Sequence, residues 1–208
     1  NVHNLFKEVR KHNPAIIFLD EIDALGKKRE LSRYSSLTGV INSLLNEMDG
    51  MTGDNDNILV IGATNSPWDV DGAFKRPGRF DTLFFVPPPD FKSRIEILKS
   101  MTKDRPVSFI DFSLLAEQTD HFSGADLFAL VDRTVESVIT EVMTTGEERD
   151  ISMEDFLKTL PRCKSTITEW IETAKSYVEY ANSDGQYDDI KKLFKPSHKK
   201  TKKRLGFI

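Results

Sequence analysis

Cysteine is almost absent from this sequence, since Cys163 is the only one among 208 residues. A single cysteine excludes a disulfide within the chain, so we expect a reducing compartment and predict a cytoplasmic protein. Long hydrophobic runs are lacking as well, because no apolar stretch approaches the roughly 20 residues of a membrane-spanning helix. We therefore expect a protein without a membrane span.

An excess of basic charge is also missing. Lysine and arginine total 29 against 33 aspartate and glutamate residues, which gives a formal net charge of −4. Domains that bind nucleic acid are usually basic, so nucleic acid is not an expected partner. With 38% hydrophobic residues, the chain can form the core of one domain and of a smaller second one.

The stretch "AIIFLDEID", residues 15–23, joins an apolar run directly to a cluster of acids. An apolar run without alternation is typical of a strand covered on both faces, as in parallel sheets. The acids then have two interpretations. They end a strand at the protein surface, or they form a ligand site, because ligands of open α/β sheets bind beyond the carboxyl ends of the strands. In that second case Asp20 and Glu21 hold phosphate-bound Mg²⁺ and an attacking water.

Helices and strands alternate in the first part of the chain, which predicts a parallel α/β sheet. The residues before Pro14 have a helical period and begin inside the helix, so we expect the chain to be part of a longer protein. Residues 37–48 have the apolar spacing of a second helix, which Asp49 and Gly50 can end. The stretches "NILVIGATN" and "TLFFVPPPD" are interpreted as a second and a third strand.

Three consecutive prolines at 87–89 mark a candidate domain boundary, because proline cannot donate to a central strand ladder. The sequence after them predicts helices only. Their starts are indicated by capping residues, namely Asp90, Ser123 with Asp126, and Ser152 with Asp155. Two further helices are predicted over residues 167–181 and 187–194, and the basic tail that follows is predicted to be disordered.

Four stretches in chain order, "IIFLDEID", "LVIGATN", "RPGRFD" and "SGADL", resemble the motifs of the AAA+ ATPases. Within these they resemble the AAA branch, which includes valosin-containing-protein unfoldases, proteasomal ATPases and membrane-remodelling ATPases. The resemblance covers residues 1 to about 160. It implies an α/β fold, the later part of a parallel-sheet P-loop NTPase domain (1–90), followed by an all-helical lid (91–161). A helical C-terminal extension (162–196) and the tail (197–208) complete the chain.

The resemblance implies a role for each polar residue at the predicted strand ends. Asp20 resembles the Walker B aspartate, which holds Mg²⁺ through water, and Glu21 resembles the glutamate that polarises the water attacking the γ-phosphate. Asn65 resembles the first sensor, which contacts that phosphate or orients the water, although an Asn at a strand end is by itself a turn former. Asp23 is interpreted as structural.

The other two motifs are implied to contact nucleotide from different sides. In the family both arginines of "RPGRFD", Arg76 and Arg79, reach the neighbouring subunit's nucleotide as arginine fingers, whereas alone they fit a Pro-Gly turn with solvated arginines. Gly124 and Ala125 are implied to form part of the adenine and ribose wall, where the alternative is a plain N-cap. Many relatives carry a histidine near the end of the preceding helix, and this chain has Met101 there.

The glycine-rich phosphate loop is missing from this sequence, and the family places it upstream of the first helix. We therefore expect these residues alone to bind ATP very weakly. Residues 27–36 match the position of the second pore loop, where a solvated loop is the alternative. The resemblance implies ATP and Mg²⁺ as ligands and a homo-oligomeric, hexameric ring. The ring would hydrolyse ATP to remodel or unfold a polypeptide substrate. A non-catalytic oligomerisation or regulatory fragment and a DExD-type helicase are the alternatives.

Overall fold

The structure is a computed structural model that describes residues 2–24, 35–49, 57–182 and 185–194. The chain divides into two compact units, Asn1–Phe84 and Phe85–Ile208. Most of the predicted pore-loop segment, residues 27–34, and the predicted disordered tail, residues 197–208, lie outside the described residues. Within the described part of the chain, no helix combines the length and the apolar character needed to cross a membrane.

The first unit contains a parallel sheet of two strands with helices before and between them. The elements are helix α1 (Val2–Lys11), strand β1 (Ala15–Leu19), helix α2 (Ser35–Met48) and strand β2 (Ile58–Gly62). The strands pair in parallel from Ala15 opposite Ile58 to Leu19 opposite Gly62. Both helices and both strands were predicted from the sequence, and the parallel α/β character of this part is confirmed.

Among the residues that the structure describes, packing partners of this sheet lie on one of its faces. Ile17 of β1 is buried with Phe6 of α1 against the apolar side of α2. Side chains alternate along a strand, so the neighbours of Ile17 point to the opposite face, where Ile16 and Phe18 are 66% and 62% exposed. The prediction that β1 is covered on both faces is wrong for the described residues, because these provide packing partners for one face only.

The predicted third strand is not formed. Residues 81–90 have no regular secondary structure, and the sheet within the described residues has two strands. Phe84 and Val86 are 84% and 85% exposed. A strand is stabilised by backbone pairing with a neighbour, and the three prolines that follow Val86 cannot donate to such pairing. An apolar pattern alone was therefore insufficient to predict a strand here.

The second unit is built from helices. They are α3 (Phe91–Thr102), α4 (Phe112–Gln118), α5 (Gly124–Thr145), α6 (Met153–Thr159), a 3₁₀ turn (Leu160–Arg162), α7 (Thr168–Tyr180) and α8 (Asp188–Leu193). Its core is closed around fully buried side chains from α3 to α6, among them Leu98, Leu115, Leu127 and Phe156. The predicted helical lid after an α/β part is thus confirmed.

The capping predictions at the starts of α3 and α5 are confirmed, and at the start of α6 the amide of Ser152 donates to the Asp155 carboxylate at 2.8 Å. The carboxylate of Asp90 accepts a hydrogen bond from the Ser93 amide at 2.7 Å. At the start of α5 the amide of Asp126 donates to the Ser123 hydroxyl at 3.1 Å, and the amide of Ser123 donates to the Asp126 carboxylate at 2.9 Å. Each bond satisfies an amide that has no partner within its helix, which is why these starts follow from local sequence.

Candidate functional site

The carboxyl ends of β1 and β2 meet at one edge of the sheet. Pairing continues past the strands, because the amide of Ala63 donates to the carbonyl of Leu19 at 2.8 Å and the amide of Ile22 donates to the carbonyl of Ala63 at 3.1 Å. Asp20 and Glu21 lie between these two bonds, and Asn65 follows two residues after Ala63. The structure therefore brings the three polar residues predicted at the strand ends to a common edge.

The backbone turns sharply at Glu21, whose φ of 52° lies in the left-handed region that a glutamate rarely adopts. The amide of Glu21 donates to the Asp20 carboxylate at 2.9 Å, and the amide of Ala24 donates to the Glu21 carbonyl at 2.9 Å. Strained backbone of this kind persists only where surrounding contacts hold it, and it is common at functional sites. The turn leaves both carboxylate side chains exposed at the sheet edge.

Asp23 braces the segment that precedes Asn65. Its carboxylate accepts a hydrogen bond from the Thr64 hydroxyl at 2.6 Å, and that hydroxyl in turn accepts one from the Ser66 amide at 2.9 Å. The side chain of Asp23 is thereby committed to linking the two strand ends. This contact supports the interpretation of Asp23 as structural.

Gly62, the last residue of β2, permits close packing at the same edge. A Cβ atom there would lie 2.8 Å from Cδ1 of Ile22 and 3.1 Å from the ring of Phe80. Both distances are shorter than ordinary contacts between carbon atoms. Ile22 directly follows Glu21 and is buried, so this packing helps to fix the turn that carries the carboxylates. The sequence analysis did not single out Gly62.

The "RPGRFD" segment forms a compact loop held between two phenylalanines. The amide of Phe80 donates to the carbonyl of Phe74 at 3.0 Å, and the two ring centroids are 6.0 Å apart. The amide of Arg79 donates to the Arg76 carbonyl at 3.1 Å, and Gly78 has a φ of 86°. A positive φ at the turn explains the glycine.

The two arginines of this loop have different surroundings. The guanidinium of Arg79 forks onto both carboxylate oxygens of Asp49 and also donates to the Ala73 carbonyl. Hydrogen bonding from Arg79 holds the pKa of Asp49 below its ordinary value. Arg76, by contrast, is exposed. The sequence analysis missed Asp49 as the partner of Arg79, since 30 residues separate them and no local pattern connects them.

Gly124 and Ala125 belong to the second unit, at the start of α5. Gly124 is half-buried and Ala125 is exposed. A Cβ atom on Gly124 would meet no atom of the described residues within 4 Å. Neighbouring atoms of the described residues therefore do not require a glycine here.

A metal ion at the carboxylate edge of the sheet would have few protein ligands. Within the described ranges, no group of three or more His, Cys, Asp or Glu side chains is placed to hold a metal ion. Mg²⁺ differs from other protein-bound metals because it keeps several waters and often uses one or two carboxylates together with phosphate oxygens. The exposed carboxylate of Asp20 is a donor of the kind that such a site uses.

Comparison with known proteins gives two family matches. Residues 1–88 match the ATPase family associated with various cellular activities (AAA), and residues 110–158 match the AAA+ lid domain. The proteasome-activating nucleotidases of Thermococcus onnurineus and Pyrococcus furiosus are each 42% identical to this chain over 164 residues, which are 77% of this chain and 40% of the relative. Protein SAV of Sulfolobus acidocaldarius is 40% identical over 170 residues, 78% of this chain and 22% of that protein. The chain thus spans less than half the length of these relatives.

Proposed function

Because this chain belongs to the AAA family of ATPases, with an AAA domain followed by a helical lid, we propose that it is part of a ring-forming ATPase that remodels or unfolds proteins. One observation carries the proposal. Two exposed carboxylates, Asp20 and Glu21, stand at the carboxyl edge of a parallel sheet beside the strand end that leads to Asn65, and Glu21 occupies a left-handed turn.

Each residue at this edge has a task that its chemistry suits. Asp20 would hold Mg²⁺ through water, and the ion would neutralise charge on the phosphate oxygens. Glu21 accepts a hydrogen bond from the attacking water and holds it in line, and this is the main contribution that phosphoryl transfer requires from such a residue. Asn65 donates from its amide to the γ-phosphate or to the same water without competing for the metal.

The arginines of the loop act on the neighbouring subunit's nucleotide. Arg79 lines a cavity of about 280 Å³ beside Ile58–Val60, the first residues of β2, whereas the carboxylates follow the last residue of β1. The guanidinium of Arg79 donates hydrogen bonds to Asp49 and to the Ala73 carbonyl of its own chain. Arg76 is exposed and available to a neighbour, and Arg79 has to leave Asp49 before it reaches one.

The ligands and partners follow from this assignment. Gly124 and Ala125 form part of the wall that contacts adenine and ribose, and a Cβ atom on Gly124 would meet no atom of the described residues within 4 Å. The assembly is a homo-oligomer, a hexameric ring. Two of the relatives are named as activators of the proteasome, and for this chain we propose a polypeptide as the substrate class.

The decisive experiment replaces Glu21 with glutamine in the full-length protein that contains this chain. Glu21→Gln keeps the shape of the side chain and removes its charge, so ATP binding should persist while hydrolysis falls by a factor of about 10²–10⁴. Nucleotide affinity and phosphate release are measured in parallel. Glu96→Gln is the matched control, because Glu96 is an exposed glutamate of α3 paired with Lys99.

The control should retain the turnover of the unsubstituted protein. Near-normal hydrolysis by Glu21→Gln would show that the carboxylates only end the strand. A full-length protein that binds no ATP would instead favour a non-catalytic oligomerisation role.

A further inference from the structure

A short segment of the C-terminal extension, residues 165–167, lies against the start of α5 in the second unit. The hydroxyl of Ser165 donates to the His121 carbonyl at 2.6 Å. The amide of Thr166 lies 3.3 and 3.2 Å from the two carboxylate oxygens of Asp126. These contacts stand on either side of residues 122–125, the stretch that includes Gly124 and Ala125.

Asp126 joins two structures through one carboxylate. Asp126 is only 5% exposed, and burying a carboxylate costs free energy unless hydrogen bonds satisfy its oxygens. Burial acts to raise the pKa of Asp126, but hydrogen bonds from Ser123 and Thr166 outweigh it and hold the pKa below its ordinary value. The charged carboxylate therefore completes the capping box of α5 and binds the extension at the same time.

Ser165 has a similar double role. Besides donating to His121, its hydroxyl accepts a hydrogen bond from the Ile167 amide at 3.3 Å, directly before α7 begins. His121 has a φ of 60°, a left-handed conformation that turns the chain just before α5. The turn before α5 and the start of α7 thus share one hydroxyl group.

Helix α7 is held at a second point. The ring of Trp170 stacks on that of Phe85, with centroids 6.1 Å apart and planes inclined by 5°, a separation typical of aromatic pairs. Phe85 is the first residue of the second unit, and Ala174 on the next turn of α7 is buried. The extension therefore contacts both the beginning of its unit and the start of α5.

Another capping aspartate, Asp111, shows that this arrangement exceeds what a helix start requires. Asp111 caps α4 by accepting from the amides of Ser113 and Leu114, within the same helix, and it is exposed. Asp126 instead is buried and reaches a residue 40 positions further along the chain. A plain N-cap does not account for the second contact.

We propose that Asp126 is a positioning residue that, with Ser165, fastens the C-terminal extension across the start of α5 and so holds Gly124 and Ala125 in place for the adenine nucleotide. This inference rests on the proposed function of Gly124 and Ala125. The extension then acts as a strap on the nucleotide wall. Releasing it should weaken nucleotide binding and leave the chemical step, which belongs to the first unit, largely unchanged.

The test uses two substitutions in the full-length protein, each with a matched control. Asp126→Asn removes the charge that both amides contact, and Ser165→Ala removes the hydroxyl that links His121 to Ile167. Asp111→Asn is the control for the first, and Ser176→Ala, at an exposed serine of α7 that bonds only within the helix turn to Glu172, is the control for the second. Ser165→Thr retains the hydroxyl and should restore the behaviour of the unsubstituted protein.

Two readouts separate the strap from a general loss of structure. In a background in which Trp68 and any tryptophan outside these 208 residues are replaced with phenylalanine, the emission of Trp170 reports whether α7 stays packed on Phe85. We expect emission at longer wavelength for Asp126→Asn and Ser165→Ala. We also expect the KM for ATP to rise about tenfold for Asp126→Asn, which loses hydrogen bonds to a charged group. For Ser165→Ala, which loses hydrogen bonds of a neutral group, we expect a rise of about threefold. The kcat should change by less than about twofold, because KM effects without kcat effects report binding.

The outcomes are distinguishable. If emission shifts while KM is unchanged, the extension merely packs on the lid and the inference is overturned. Unchanged emission together with unchanged KM overturns it too, since the two contacts then hold nothing. If the unsubstituted protein binds no ATP, the proposed function is wrong, and so is the inferred effect on nucleotide binding. The Trp170 emission would still show whether the two contacts hold the extension on its unit.

Discussion

The two units of the chain bury their apolar residues in different ways. In the second unit, helices α3 to α6 surround a closed core in which Leu127 and Phe156 have no exposed surface. In the first unit the sheet is packed by α1 and α2 on one face, and Ile16 and Phe18 on the other face are exposed. The helical unit therefore completes its core with its own residues, whereas the sheet of the first unit presents an apolar face among the described residues.

Replacing one phenylalanine with alanine in each unit should reveal this difference in packing most strongly. Phe156→Ala leaves a cavity in a closed core and should lower the free energy of unfolding of the second unit by about 3–5 kcal/mol. Phe18→Ala removes a largely exposed ring and should cost the first unit less than about 1 kcal/mol. Urea unfolding followed by Trp170 in the second unit and Trp68 in the first measures the two costs separately. Comparable costs would mean that the exposed sheet face is packed in solution.

An ion pair in the second unit should give a smaller, pH-dependent effect. Hydrogen bonds from Arg149 lower the pKa of Asp155 to about 2, and the two side chains are 2.8 Å apart. Because the folded-state pKa lies below the unfolded value, the stabilisation is present above about pH 4 and is lost as the pH falls towards 2.

Asp155→Asn should therefore cost about 2 kcal/mol at pH 7 and less than about 0.5 kcal/mol near pH 2, a difference that follows from the shift in pKa. Unfolding curves across this range measure it. Glu154→Gln is the control, because Glu154 is an exposed neighbour paired with Lys158, and its effect should stay small at every pH. A cost for Asp155→Asn that persists at pH 2 would mean that the carboxylate acts through something other than its charge.

The contrast between the units also explains what the sequence could predict. The starts of α3 and α5 followed from Asp90, Ser123 and Asp126, because a capping residue and the amide it binds lie within three positions. The predicted strand after Asp81 failed, because a strand needs a partner that its own sequence does not specify. The carboxylate edge was found because both strands end in polar residues, but its bracing by Gly62 depends on contacts with residues distant in the chain.

Long-range polar contacts were beyond sequence analysis for the same reason. Asp49 was interpreted only as the end of a helix, although it binds Arg79. Asp126 was interpreted only as a capping residue, although it also binds Thr166. In both cases the local role of the aspartate was correctly predicted. Its distant partner depends on the fold and could not be predicted from the local sequence. Roles of Arg76, Arg79, Gly124 and Ala125 towards nucleotide remain predictions of the resemblance and of the proposal built on it.

The smallest expected effect concerns the ion pair of the first unit, which sharpens the comparison with Arg149 and Asp155. The carboxylate of Asp49 is partly exposed, so solvent screens its pairing with Arg79 more than it screens Asp155. A double-mutant cycle of Asp49→Asn and Arg79→Gln should give a coupling free energy of about 0.5–1 kcal/mol in urea unfolding, typical of exposed pairs. Arg76→Gln is the comparison, because Arg76 is exposed in the same loop and acts on Asp49 only through the weaker attraction of its charge, so it should couple to Asp49 less than Arg79 does.

Two of these variants, Arg76→Gln and Asp49→Asn, also test the proposed action on a neighbouring subunit. In the full-length protein Arg76→Gln should lower turnover while leaving stability unchanged, because its contact is made only to the neighbour's nucleotide. Asp49→Asn releases Arg79 and should change turnover without abolishing nucleotide binding. Mixing Glu21→Gln and Arg76→Gln subunits should return part of the activity, since some interfaces then join an intact site to an intact arginine. If both variants assemble and exchange subunits but the mixture stays inactive, Arg76 does not act across the interface.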